Sequence, residues 1–245
     1  MKMIDINTML GPWMFPVRYK DENGLLSYLD TYHITSAVTY HSGAKLDPFE
    51  FNPLMSRIAQ DSGGRISACH VIDPILYTSA ALKKNIGEYR PCAVRMFPKT
   101  GRFILDRFYC SHILSVLDEA RMPLLLESEE APDHQVLPVL AAQYPDIPIV
   151  ILRPPFNNSR FIKPLLAKLD NVYFDVSIMI NTGFLDELVN EAGAGKKLLF
   201  GSALPHHVPS GSLGMILYAD ISDDARNDIL HSNWERLTGG IRYDY

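Results

Sequence analysis

The chain has 245 residues and a net charge of -5, with 47% hydrophobic and 21% charged residues. Its basic residues are scattered through an acidic background, which argues against nucleic acid or an anionic membrane as the partner. Three cysteines, Cys69, Cys92 and Cys110, are too few and too spread for a disulfide framework or a zinc knot. They are expected as free thiols in a reducing compartment. The opening Met-Lys-Met-Ile-Asp-Ile-Asn has neither the apolar core nor the small-residue cleavage site of a signal peptide. No run approaches the roughly 18 apolar residues of a membrane helix. The expected location is the cytoplasm.

Eight short apolar, β-branched runs recur in chain order. They are residues 3–6, 36–40, 66–71, 93–97, 123–126, 148–152, 172–176 and 197–200. Each has the length of a buried strand, and most are too apolar to face water on either side. Amphipathic stripes lie between them: Leu25, Leu26, Leu29 and Ile34; then Ile113, Leu114, Val116, Leu117 and Ala120; then Phe161, Leu165, Leu166 and Leu169. The strand starts are roughly 24–32 residues apart, the size of one βα unit with its loops. The spacing predicts an α/β fold, a single-domain (β/α)8 TIM barrel over residues 1–245, a length typical of that fold. A seven-stranded or distorted barrel is the runner-up. An open doubly wound sheet is disfavoured, because no glycine-rich phosphate loop follows the first strand.

In such barrels ligands bind at the C-terminal strand ends. Here those ends carry Asn7, Met9, Tyr40, His41, His70, Arg95, Glu127, Ser128, Arg153, Asp175, Ser177 and Ser202, with His206 and His207 just beyond the last strand. Glu127 is a candidate general base, and His70 a candidate acid or base because histidine titrates near neutrality. Arg153, with Arg95, has the planar fork that holds a carboxylate or phosphate. Glu127 and Arg153 come from neighbouring strands and are expected to form a bidentate ion pair. Trp13, Phe15 and Tyr19 are candidates for an aromatic wall, and His41 and His206 for loop residues beside substrate. Gly201-Ser202-Ala203 is not a nucleophile elbow, so serine hydrolysis is disfavoured.

Several strand ends resemble the amidohydrolase-related (amidohydrolase 2) family of metal-dependent barrels. The opening Ile-Asp-x-His-x-His-x-Gly of that family is similar to Ile4-Asp5-Ile6-Asn7-Thr8-Met9-Leu10-Gly11. Its proline-led fifth strand resembles Pro123-Leu124-Leu125-Leu126-Glu127. The lead to strand six resembles Tyr144-Pro145-Asp146-Ile147-Pro148, ending in Arg153. Asn171-Val172-Tyr173-Phe174-Asp175-Val176-Ser177 is similar to strand seven. Phe200-Gly201-Ser202-Ala203-Leu204-Pro205-His206 is similar to strand eight, and Ile229, Asn233 and Leu237 match the tail.

The resemblance implies metal ligands at Asn7, Met9, Glu127, Arg153 and Ala203. Only Glu127 among these suits zinc; Met9 offers a soft thioether, and Arg153 is a permanent cation. The expectation is no metal and no cofactor. The pocket is expected to take a small carboxylate-bearing molecule, with Glu127, His70 and Arg153 catalytic. Asn7, Met9, Trp13, His41, Arg95, Asp175, Ser202 and His206 are expected to line it. Three readings stay open: a metal-independent hydrolase or decarboxylase, a non-catalytic binder of a small anion or a protein, and a metal held by other ligands such as Glu127 with His70 or His206. The resemblance also implies a homodimer.

Overall fold

The computed structural model describes residues 1–17, 19, 21–131, 136–155, 159–179 and 181–244. Eight parallel strands follow one another in chain order: β1 (Ile4–Leu10), β2 (Ser36–His41), β3 (Ile66–Val71), β4 (Ala93–Arg95), β5 (Leu124–Glu127), β6 (Ile149–Leu152), β7 (Val172–Asp175) and β8 (Leu198–Leu199). The sheet closes on itself where Ile6 N donates to Phe200 O (3.0 Å) and Met9 N to Leu204 O (3.0 Å). This is the expected (β/α)8 barrel, and every strand overlaps a run picked out from the sequence, with β1 continuing past its run to Leu10.

The outer ring includes α1 (Glu22–Thr31), α2 (Pro48–Asp61), α3 (Ser79–Tyr89), α4 (Arg107–Ala120), α5 (Val136–Gln143), α6 (Ser159–Lys168), α7 (Pro209–Tyr218) and α8 (Asn233–Thr238). Four of these helices start on a side-chain cap: Asp21 accepts from Gly24 N, Asp47 from Phe49 N and Glu50 N, Thr78 from Ala81 N, and Asp106 from Tyr109 N. Such caps satisfy backbone donors that a first turn leaves free. Between β7 and β8 the chain runs through helical turns at Phe184–Asp186 and Glu187–Glu191. No helix among the described residues is long and apolar enough to cross a membrane.

Alternation along each strand sorts side chains into two cores. Ile6, Val38, Cys69, Leu125, Val150 and Leu199 fill the barrel interior. Ala37, Ala68, Val94, Leu124, Leu126, Ile149 and Ile151 pack outward against the helices. The same parity fixes where polar strand residues point. In β3, Cys69 and Val71 are interior, so His70 faces out.

His70 is fully buried there. Its Nε2 pairs with Ser56 Oγ of α2 (2.8 Å) and its Nδ1 with Asn85 Oδ1 of α3 (2.8 Å). It pins two helices to the sheet and lies outside the barrel mouth, which corrects its expected catalytic role. Burial pushes its pKa down to about 4, against 6.5 when exposed. Because the unfolded chain takes up this proton first, the stability it confers is complete above pH 6.5 and is lost as the pH falls toward 4. A shift of that size corresponds to about 3 kcal/mol. Thermal denaturation of His70→Gln across this range is expected to show a shallower loss than the wild type. Parallel pH profiles would remove His70 as the source.

Candidate functional site

Interior parity also lifts Arg95 and Glu127 into the barrel's upper end. Ala93 of β4 and Phe97 just past its end are both in the interior cluster, and Arg95 lies between them; in β5, Leu125 faces inward and Glu127 is two residues on. Arg95 is 1% exposed, and it is the group around which the site is built. Its Nη1 donates to Glu127 Oε1 (3.0 Å) and its Nη2 to Asn7 Oδ1 (2.8 Å). Its guanidinium carbon sits 4.5 Å from the centre of the Tyr40 ring, a cation–π approach. Arg153 stands second to it: its Nη1 is 3.7 Å from Glu127 Oε2, beyond hydrogen-bond reach. The expected Glu127–Arg153 ion pair is present only as this one long contact and is not bidentate; the hydrogen-bonded partner of Glu127 is Arg95, on the strand to its other side.

Asn7 connects this pair to the strands beyond it. Its Nδ2 donates to Asp175 Oδ2 (2.9 Å). Asp175 Oδ1 in turn accepts from Arg153 N (2.8 Å) and from Ser177 Oγ (2.9 Å). Burial pushes the Asp175 carboxyl up to about 6 against these hydrogen bonds. A second knot closes the seam of the barrel: Asp5 Oδ1 accepts from Ser202 N (2.9 Å) and Asn7 N (3.0 Å), and Ser202 Oγ donates to Asp5 Oδ2. Burial raises Asp5 to about 7. Asp175 and Ser202 are thus supports of the mouth.

Gly201 is where this support leaves no room. A Cβ there would lie 2.5 Å from Asp175 Oδ2 and 3.0 Å from Asn7 Cβ. Gly11 has a φ of +91° and faces His41 and Ser42 equally tightly. His41 accepts from Gly43 N through Nδ1 (3.1 Å) and stacks on Phe51 (4.6 Å, 12° between planes), so it braces the loop after β2. Burial lowers its pKa.

The rim is formed by two left-handed residues that turn the chain off its strand. Arg153, at φ 51°, directly follows β6, and its carbonyl accepts from Ser128 Oγ (2.6 Å). Ala203, at φ 59°, follows β8, and its carbonyl accepts from His206 N (2.9 Å) and His207 N (3.2 Å). That turn sets His206 edge-on to Trp13, with ring centres 4.7 Å apart. Burial, then the charge of Arg153, lowers His206 to about 4, so its imidazole is neutral at pH 7. Met9 is buried in the interior cluster below. Phe15 is 67% exposed, and Tyr19 packs on Tyr28, so only Trp13 of the predicted aromatic trio reaches the mouth residues.

Two mouth residues escaped the sequence reading. Lys45 lies in the turn Ser42–Lys45 after β2. Its Nζ is 4.0 Å from the Phe97 ring centre, 4.9 Å from Trp13 and 5.7 Å from Tyr40. Burial lowers its pKa to about 8. Phe97, two residues past Arg95, carries the interior parity of β4, which was the signal available for it. Lys45 has no such signal, because its place depends on a turn.

A polar strand-end mouth over a packed barrel interior is the architecture of a ligand-binding or enzymatic α/β barrel. The sequence profile of the amidohydrolase family matches residues 33–239, and the chain belongs to that family. Solved structures share the fold. An uncharacterized TIM-barrel protein from Bordetella bronchiseptica is 15% identical with a TM-score of 0.77, over 98% of this chain and 99% of that one. The 2,6-dihydroxybenzoate decarboxylase from Rhizobium is 12% identical at a TM-score of 0.75, over 97% and 98%. The 5-carboxyvanillate decarboxylase from Novosphingobium aromaticivorans, solved with bound manganese and a substituted nitrobenzoic acid, is 11% identical at a TM-score of 0.80, over 97% of each chain. No curated protein sequence matches.

The donors in this mouth do not fit a divalent metal. Asn7 is spent between Arg95 and Asp175, Glu127 faces two guanidinium groups, and Ala203 has no donor. A +2 ion beside buried Arg95 would be repelled by several kcal/mol even at an effective dielectric near roughly 20. Among the described residues, no three His, Cys, Asp or Glu side chains converge on one point. His70 is outside the mouth, so it is no alternative ligand.

Glu127→Gln removes the charge that balances Arg95. Because glutamine keeps an acceptor, the expected destabilisation is about 2 kcal/mol, below the roughly 3–5 kcal/mol of deleting one partner of a buried pair. Gly201→Ala is expected to cost about 1–3 kcal/mol through overpacking. Urea denaturation measures both, and an unchanged midpoint for either variant would contradict the packing described here.

Proposed function

We propose that this amidohydrolase-family barrel binds a small organic acid at a metal-free mouth and acts on it there as a hydrolase of lactones or amides, or as a decarboxylase. The observation that carries the reading is the state of Arg153. Its Nε is buried without a partner, and its Nη1 stops 3.7 Å short of Glu127 Oε2, itself an unpartnered buried atom. Buried polar atoms are normally paired, and a carboxylate laid on Arg153 satisfies two donors at once. Tyr40 and Phe97 supply apolar walls beside it, with Trp13 against His206. The aromatic-acid decarboxylases that share the fold support an acid of this kind.

The groups able to handle a proton are Glu127 and His206. His206 is neutral at pH 7 and exposed on the rim, so it accepts or relays a proton without first losing one. Glu127 is anchored by Arg95, which keeps one oxygen toward the interior and leaves Oε2 facing Arg153. A binding protein without turnover is the second reading. It is favoured by that same anchoring, which makes Glu127 the counter-charge of Arg95.

Isothermal titration with benzoate tests the acid pocket, and assays on lactones, anilides and hydroxybenzoates test turnover. Arg153→Met is expected to weaken benzoate binding at least about tenfold. Glu127→Gln and His206→Phe are each expected to lower turnover at least about a hundredfold, in the range of general acid–base contributions. Benzoate affinity indifferent to Arg153 would overturn the pocket. Turnover that survives both other changes would remove those residues from the chemistry.

A further inference from the structure

The mouth holds one cation without an acid, Lys45, and a second, Arg153, that shares Glu127 with Arg95. Lys45 Nζ is surrounded by the rings of Phe97, Trp13 and Tyr40, and among the described residues it makes no ion pair. Arg153 has the unpartnered Nε and the long 3.7 Å approach to Glu127.

The nearby carboxylates are already engaged. Glu127 Oε1 accepts from Arg95. Glu130 Oε2 accepts from Lys99 N (2.7 Å) and Thr100 N (3.1 Å), and its Oε1 accepts from Thr100 Oγ1 (2.5 Å). Asp175 is taken up by Asn7, Arg153 N and Ser177.

Position separates the two cations. Lys45 rises from the turn after β2, and Arg153 directly follows β6. Strands two and six lie four apart in a ring of eight, on opposite sides of the mouth. One carboxylate lying on Arg153 leaves Lys45 uncompensated across the opening.

From this arrangement we infer that the mouth selects a small aromatic dianion, with one acid group on Arg153, the other on Lys45, and the ring against Phe97. Lys45 is then a specificity-determining residue for the number of charges on the ligand. The inference rests on the acid-pocket reading above and adds the second charge to it. The low pKa of His206 agrees with it: after burial, the shift is due to the charges of Arg153, His207, Lys45 and Arg95, which mark a positive potential over the mouth. An ammonium partly screened from water by three rings gains from an anion brought to it.

Isothermal titration of the full chain at pH 7 compares benzoate with isophthalate, and adds phenyl phosphate, which carries two charges on one group. Isophthalate is expected to bind at least about tenfold tighter than benzoate and tighter than phenyl phosphate. Lys45→Met is expected to bring isophthalate to the level of benzoate, and Lys45→Arg to keep the difference. Phenyl phosphate binding tighter than isophthalate, benzoate binding as tightly as isophthalate, or Lys45→Met weakening all three equally in a folded protein, overturns the inference and leaves the acid pocket standing. No binding of any of the three overturns the acid pocket itself.

Discussion

A guanidinium buried at the upper end of the barrel is the constraint on which the rest of this structure depends. Taking a cation out of water costs several kcal/mol, and only well-placed partners recover it. Arg95 obtains them from three strands: Glu127 on β5, Asn7 on β1 and the ring of Tyr40 on β2. Asn7 passes the link to Asp175 on β7, and Asp175 to the backbone at the end of β6. One charge therefore ties together the ends of six strands. Its pinned geometry sets what remains for a ligand: one oxygen of Glu127, the free edge of Arg153, and Lys45 opposite.

The same network explains why the two buried aspartates differ from surface carboxylates. Asp5 and Asp175 are held by hydrogen bonds, yet burial outweighs those bonds and raises both toward neutrality. Each is a joint. Asp5 with Ser202 fastens the seam between β1 and the residues after β8, and Asp175 with Asn7 fastens β7 to β1. Gly201 lets these joints approach, since any side chain there would fill the space they occupy. The resemblance counts Asp5, Gly201 and Asp175 among the family's scaffold residues. The positions that it assigned to metal ligands form, in this chain, a hydrogen-bonded polar floor, a cationic rim and an apolar plug.

Several misplacements share one cause. His70 and Cys69 are adjacent at the end of β3, and sequence offers no way to say which faces in, because both are compatible with a buried layer. The structure turns Cys69 to the interior, where burial pushes its thiol up to about 12, and sends His70 to Ser56 and Asn85. Glu127 has an arginine on the strand to either side, and adjacency alone does not choose between them. Side-chain direction does: Arg95 extends from a regular strand, whereas Arg153 sits in a left-handed turn that leans it over the rim.

The sequence by itself determined the barrel. Eight buried strands at a regular interval, with amphipathic helices between them, admit few other ways to hide that much apolar surface, and the strand-end polar residues name the site's constituents. Tertiary structure alone decided which of those residues meet. It settled the parity of each strand, the choice of Arg95 as the buried cation, and the placing of Lys45 among rings contributed by three separate segments. The physical reason is range. Hydrophobic period is a local property written along the chain, whereas an ion pair or an aromatic box depends on angles set by closure of the whole ring.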